Sequence, residues 1–172
     1  MKKKRLLRLG REWLMIGLLL IVVSVAIDQW RSQQMPERNQ FSLQAVDLQG
    51  QSIDIQAMSA EKPMVIYFWA SWCNICRFVT PTVNWLSQYY PTLGIALSSG
   101  SDEQIRRYLA YHDIEFPQLN DPRSQIGQDW HIRYTPTIMI VHQGKIEFIT
   151  SGLTTPWGLL ARLWLASYPL PT

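Results

Sequence analysis

Cys73 and Cys76 are the only two cysteines in 172 residues, and two residues separate them in the stretch Phe68-Trp69-Ala70-Ser71-Trp72-Cys73-Asn74-Ile75-Cys76. An apolar run from Met64 to Ala70 leads into the pair, and a helical pattern follows from about Cys73 to Tyr90. If strand gives way to helix at Trp72, both sulfurs fall on one face of one turn. At that separation they bridge with little backbone movement. Cys73 then stands at a helix N-terminus, where unpaired backbone N–H groups and the helix dipole favour negative charge. This lowers the thiol pKa and makes Cys73 a thiolate nucleophile near neutral pH, with Cys76, one turn deeper, resolving the mixed disulfide. Two other readings stay open. The pair could be buried and inert, or its thiolates could hold Cu(I), which soft sulfur ligands select, with His131 or a methionine assisting. His112, His131 and His142 are scattered, none at metal-ligand spacing from the cysteines, so no metal site and no cofactor is assigned.

The stretch Trp69-Ala70-Ser71-Trp72-Cys73-x-x-Cys76, with Pro81 five residues on, resembles the active site of the thioredoxin superfamily. Tyr134-Thr135-Pro136-Thr137 resembles that family's second landmark, a cis-proline loop facing the cysteines. With an N-terminal apolar segment and a hairpin ahead of the motif, residues 41–166 are most similar to the bacterial membrane-tethered TlpA/ResA/CcmG group. Within it they look most like the ScsD-type suppressor-of-copper-sensitivity disulfide oxidoreductases. The resemblance implies a Cys73–Cys76 redox disulfide, a cis bond at Pro136, and supporting roles for Trp72 beside the sulfur and for Thr135. It implies periplasmic protein thiols and disulfides as substrates and a membrane electron donor of the DsbD/ScsB type. Two departures stand out. Thioredoxin carries a buried aspartate where this chain has Tyr67, and the ResA/CcmG-type reductases carry a glutamate where it has Val79; those carboxylates help move the proton of the buried thiol. Arg77 is the nearest positive charge in sequence.

The elements around the motif read as α/β. Phe41–Asp47 and Gln51–Ile55 alternate apolar and polar about Gln49-Gly50, a hairpin signal, and Ala57 to Pro63 reads as a loop. Met64–Trp69 suits a strand buried on both faces. In the helix after it, Ile75, Phe78, Val79, Leu86, Tyr89 and Tyr90 are the expected packing residues, with Pro81 as a kink. Leu93–Ser98 is a second buried strand. Ser101-x-x-Gln104 marks a capping box opening a helix that packs Ile105, Tyr108 and Leu109. Phe116–Asn120 is a short extended piece, and Asp121–Ile132 holds a short helix. Thr137–His142 and Lys145–Thr150 pair about Gln143-Gly144. Thr155-Pro156 opens a last helix packing Leu159, Leu160, Leu163 and Trp164. The sum is βαβ followed by ββα around a four-stranded mixed sheet, with a hairpin in front. That is a three-layer architecture, and it is what a thioredoxin fold implies.

The formal charge of +3 is concentrated at one end. Six of the sixteen basic residues are Lys2, Lys3, Lys4, Arg5, Arg8 and Arg11, and from Arg31 onward ten basic residues face eleven acidic ones. A nearly neutral body argues against nucleic-acid binding. A hydrophobic fraction of 47% is ample for a core, so the cysteines are not needed as a structural staple. Residues 13–27 carry no charge and would span roughly 22 Å as a helix; extension to Trp30 adds Asp28 near the boundary. Basic residues 1–12 keep the N-terminus cytoplasmic and send the rest across. Two readings remain, a retained single-pass inner-membrane anchor over 13–30, or a signal peptide cut near Ser24-Val25-Ala26. Both export residues 41–168, with 31–40 as a polar linker. A lipoprotein anchor is excluded, because no cysteine lies near the segment's end. No dimerisation segment is present, so the expected state is a monomer.

Overall fold

The computed structural model describes Met15 and residues 43–168. The basic segment 1–12, the linker 31–40 and, Met15 aside, the apolar segment 13–30 lie outside the described residues. Among the described residues no helix is long and apolar enough to cross a membrane.

A short antiparallel hairpin comes first, β1 (Gln44–Val46) with β2 (Ser52–Asp54). It is shorter than the alternation predicts. Asp54 caps a one-turn helix, α1 (Ile55–Met58), by accepting the Ala57 N–H, so the expected loop begins as helix. Then follow β3 (Met64–Trp69), α2 (Asn74–Leu86), β4 (Thr92–Leu97), α3 (Asp102–Tyr111), β5 (Gln118–Asp121), α4 (Gln125–Asp129), β6 (Thr137–His142), β7 (Lys145–Ser151) and α5 (Pro156–Ser167).

The main sheet has the order β5-β4-β3-β6-β7, with β3 parallel to β4 and antiparallel to β6. It has five strands where four are predicted. The piece read only as extended, Gln118–Asp121, pairs in parallel with β4 as an edge strand. The β6–β7 turn places Gln143 and Gly144 at φ 52° and 73°, the left-handed pair that matches strand twist in a tight hairpin.

β3 is buried along its whole length, and its side chains alternate between two cores. Val65, Tyr67 and Trp69 face α2, α3 and α5, meeting Val79, Val83, Ile105, Leu109, Leu159 and Leu163. Met64, Ile66 and Phe68 face the other side, which Ile53 of the hairpin, Ile55 of α1 and the indole of Trp130 cover. The three layers are thus unequal: three long helices, the sheet, and a thinner cover of hairpin and short helix.

Several expected packing residues face solvent instead. Ile75 is 47% exposed and Phe78 77%, and Tyr89 and Trp164 are also exposed. The buried stripe of α2 is Cys76, Val79, Thr80, Val83 and Leu86. Ile75 and Phe78 each precede a stripe residue, which turns them about 100° away from the sheet. Tyr90, Tyr108 and Leu160 are half-buried against the helical core. The capping box at Ser101 is present in both directions, and the Thr155 hydroxyl accepts the Gly158 N–H ahead of Pro156.

Gln118 links the layers. Its buried side chain accepts the Trp69 indole N–H at 2.9 Å and donates to the Phe116 carbonyl, while its backbone carbonyl accepts the N–H of Leu48. Arg106 reaches the Leu48 carbonyl from α3. Gly94, the register partner of Gln118, leaves the space that the Gln118 amide fills, and a Cβ there would overlap it. Gly94→Ala is therefore expected to lower the unfolding free energy by about 1–3 kcal/mol, the ordinary cost of overpacking. A urea midpoint equal to that of the parent would show that Gln118 is not held as described.

Candidate active site

β3 ends at Trp69 and the chain turns through Ala70–Cys73, with the Cys73 N–H donating to the Ala70 carbonyl. Cys73 is the N-cap of α2 in extended conformation, and its Sγ accepts the Cys76 N–H at 3.2 Å. A cysteine sulfur here takes the place of the usual Ser or Asp oxygen of an N-cap. The first turn of α2 carries no acidic residue, so no side-chain charge there offsets the positive end of the dipole. Cys73 and Cys76 are joined in a disulfide with a Cα–Cα distance of 5.3 Å. Cys73 is 7% exposed and Cys76 is fully buried. Both are buried, but Cys73 keeps a small opening to solvent and Cys76 has none, the asymmetry that sequential attack and resolution require.

Trp72 is 63% exposed, so it is not a core aromatic; its indole N–H donates to the Ser98 carbonyl at 3.1 Å. Beside it, the Ser71 N–H donates to the Ser99 hydroxyl at 2.9 Å. The bend after β4, with Ser98 at φ 44°, therefore holds the turn that presents Cys73.

The second loop leaves the sheet at the same end. Thr137 is the register partner of Phe68, and the Thr135–Pro136 bond immediately before it is cis. The Thr137 hydroxyl donates to the Tyr134 carbonyl at 2.7 Å, and the Gly152 N–H donates to the Pro136 carbonyl at 2.8 Å. Pro136 is buried and Thr135 half-buried.

Beneath the cysteines lies a hydroxyl pair without a local sequence signal. The Tyr67 and Thr80 hydroxyls are 2.9 Å apart, and they lie 3.3 Å and 2.8 Å from the Cys76 carbonyl. Burial raises the Tyr67 pKa well above the ordinary phenol value. The position of Val79 is apolar and buried.

The remaining candidates are dispersed. Arg77 is exposed and lines a pocket between α2 and α3 together with His112. His112 stacks on Tyr108 with centroids 4.4 Å apart. His131 is exposed with φ 53°, and its Nδ1 lies 3.2 Å from the Asp129 carbonyl. His142 is buried, with Nδ1 2.7 Å from the Ala166 carbonyl. The described residues contain no cluster of three His, Cys, Asp or Glu side chains able to hold a metal.

A mixed sheet with flanking helices and a strand–CxxC–helix disulfide at the end of its central strand make this chain a thioredoxin-like protein disulfide oxidoreductase. It belongs to the AhpC/TSA family, whose model matches residues 32–149. It is 37% identical to a thioredoxin-like protein of Haemophilus influenzae over 98% of this chain and 99% of that one. It is 25% identical to the thiol-disulfide oxidoreductase ResA of Oceanobacillus iheyensis, over 78% of this chain and 67% of that one. Among solved structures it is similar in fold to the pneumococcal exposed lipoprotein thioredoxin of Streptococcus pneumoniae, with a TM-score of 0.64 and 20% identity, covering 72% of this chain and 98% of that one.

The buried phenol has a consequence for stability. Tyr67 keeps its proton in the folded chain beyond the pH at which an unfolded tyrosine ionises, near 10. The folded state then binds more protons than the unfolded state, so stability present below pH 10 is lost as pH rises past it. Unfolding free energies measured from pH 8 to 11.5 should fall more steeply for the parent than for Tyr67→Phe. Equal slopes would mean that Tyr67 ionises as freely inside the fold as outside.

Proposed function

We propose that the protein is an exported, membrane-tethered oxidoreductase that exchanges disulfides with periplasmic protein thiols, held by its N-terminal segment to a bacterial inner membrane with the catalytic domain on the periplasmic side. The observation that carries the exchange chemistry is Cys73 at the N-cap, its sulfur bonded to a Cys76 that is wholly buried. The tether rests on the uncharged residues 13–27 behind six basic residues.

In the reducing direction, the Cys73 thiolate attacks one sulfur of a substrate disulfide. That S–S bond breaks, the other substrate sulfur leaves as a thiolate, and a Cys73–substrate disulfide forms. Cys76 then attacks the Cys73 sulfur and releases the second substrate thiolate, leaving the Cys73–Cys76 bond. Two electrons have passed to the substrate, and a membrane donor of the DsbD/ScsB type restores them. A tether favours such a donor by raising its effective concentration. The function is that of a reductase or isomerase, and the likeness of the motif region to the ScsD-type proteins supports a link to copper or redox stress. In this reading the protein needs no cofactor and works as a monomer.

A Cu(I) chaperone is the competing reading, with two thiolate ligands and, among the described residues, no cluster supplying a third from His, Cys, Asp or Glu.

The test is the reduction potential of the pair in the full chain, equilibrated against thiol buffers. A value toward the thioredoxin end, about −270 mV, is expected; one toward the DsbA end, about −120 mV, would reverse the direction. A pair that bound Cu(I) tightly without cycling would replace exchange with the chaperone reading. Cys76→Ser should also accumulate mixed disulfides through Cys73 in the envelope, and Cys73→Ser should not; equal adducts in both would remove Cys73 as the nucleophile.

A further inference from the structure

The last helix, α5, is apolar on two sides. Leu159, Leu163 and Ala166 are buried against the sheet, whereas Trp157, Ala161, Trp164, Leu165 and Tyr168 are exposed. The exposed set follows the spacing i, i+4, i+7, i+8 and i+11, one continuous stripe on the side away from the core. A helix at a protein surface ordinarily carries its charges there. α5 has one charged residue, Arg162, and no acidic one.

α2 packs into the same core and repeats the pattern at its C-terminal end. Trp85 is 43% exposed, and Tyr89, in the turn that follows, 59%. The only charge on α2 is Arg77. Trp85–Tyr89 and Trp164–Tyr168 are matching pairs four residues apart, each with ring centroids separated by 5.6 Å. The two helix ends adjoin, since Tyr89, Tyr90 and Ser167 border one opening, together with Glu61, Lys62 and His142.

Two observations choose the occupant of this face. Among the described residues no hydrogen-bond partner serves the indole N–H of Trp85, Trp157 or Trp164, or the hydroxyl of Tyr89 or Tyr168. A protein surface that sealed the face dry would bury those groups unpaired. A lipid headgroup layer takes the rings on its apolar side and offers oxygen acceptors to their polar tips. Second, two helices with an arginine each and no carboxylate suit the charge of an anionic lipid surface.

We propose that the outer face of α5, with the C-terminal end of α2, is a docking surface for the headgroup layer of a lipid membrane. The inference rests on the tether reading and adds to it a defined resting face for the domain. Residues 31–42 span roughly 40 Å when extended, long enough for the domain to turn one flank to the lipid. Cys73 caps the far end of α2, roughly 18 Å along the helix from Trp85, so docking leaves the disulfide clear of the lipid.

A nitroxide at Ala161 in the full chain reads this face directly. The label is introduced by Ala161→Cys with Cys73→Ser and Cys76→Ser, and the chain is reconstituted in vesicles of phosphatidylethanolamine and phosphatidylglycerol. The control label is Gln125→Cys, exposed on α4 across the sheet. Power saturation is expected to show the Ala161 label open to oxygen and closed to a water-soluble nickel chelate, and the Gln125 label open to the chelate. Trp85→Glu with Trp164→Glu should return the Ala161 label to the chelate and leave Gln125 unchanged. An Ala161 label as open to the chelate as Gln125 would overturn the proposal. So would one closed to oxygen and chelate alike with dipolar broadening, which marks a second copy of the chain on this face. Carbonate extraction at alkaline pH tests the anchor alone. A chain that it releases fails the tether reading, while the Ala161 label, read on the same vesicles beforehand, still decides the face.

Discussion

Burial of β3 on both faces is the constraint from which the site follows. A strand with no access to water must place every polar atom it carries against a partner inside the protein. β3 carries two such side-chain atoms, the Tyr67 hydroxyl and the Trp69 indole N–H. The first is satisfied by Thr80 and the Cys76 carbonyl, the second by Gln118. These bonds fasten the central strand to the redox helix on one side and to the edge strand on the other. The position of α2 relative to the strand that leads into it is therefore set by hydrogen-bond satisfaction as well as by packing.

The two cysteines receive opposite surroundings from a single helical turn. Cys73 stands where the backbone offers N–H groups and no acidic side chain competes, conditions that suit a thiolate with a small opening to solvent. Cys76, three residues on, points into the apolar stripe that faces the sheet. The asymmetry that divides labour between attack and resolution needs no extra residue, because it follows from the geometry of the turn at Trp72.

Much of this was legible in the sequence, and the gaps have physical causes. The apolar run Met64–Trp69, the Ser101-x-x-Gln104 box and the Gln143-Gly144 turn each carry a local signal that the fold preserves. The orientation of α2 did not. Apolar residues occupy 75, 76, 78 and 79, and periodicity cannot choose between two adjacent stripes when Thr80, a polar residue, belongs to the buried one. β5 was hidden for a related reason. Its residues are Gln118, Leu119, Asn120 and Asp121, polar enough to read as a loop, yet Gln118 and Asp121 are buried because they bond to neighbouring backbone and to Trp69. The Tyr67–Thr80 pair joins residues thirteen apart across a strand and a helix. Tyr67 stands out in sequence only as a departure from a resembling family, and nothing local couples it to Thr80.

The outward turn of Ile75 and Phe78 bears on how the disulfide meets its surroundings. With Trp72 and Tyr134 they leave large apolar side chains bare on the two segments that frame Cys73. Water against such a collar is poorly held and easily given up. A polypeptide arriving there sheds little tightly bound solvent, whereas a small hydrated ion or oxidant gains nothing by giving up its own shell.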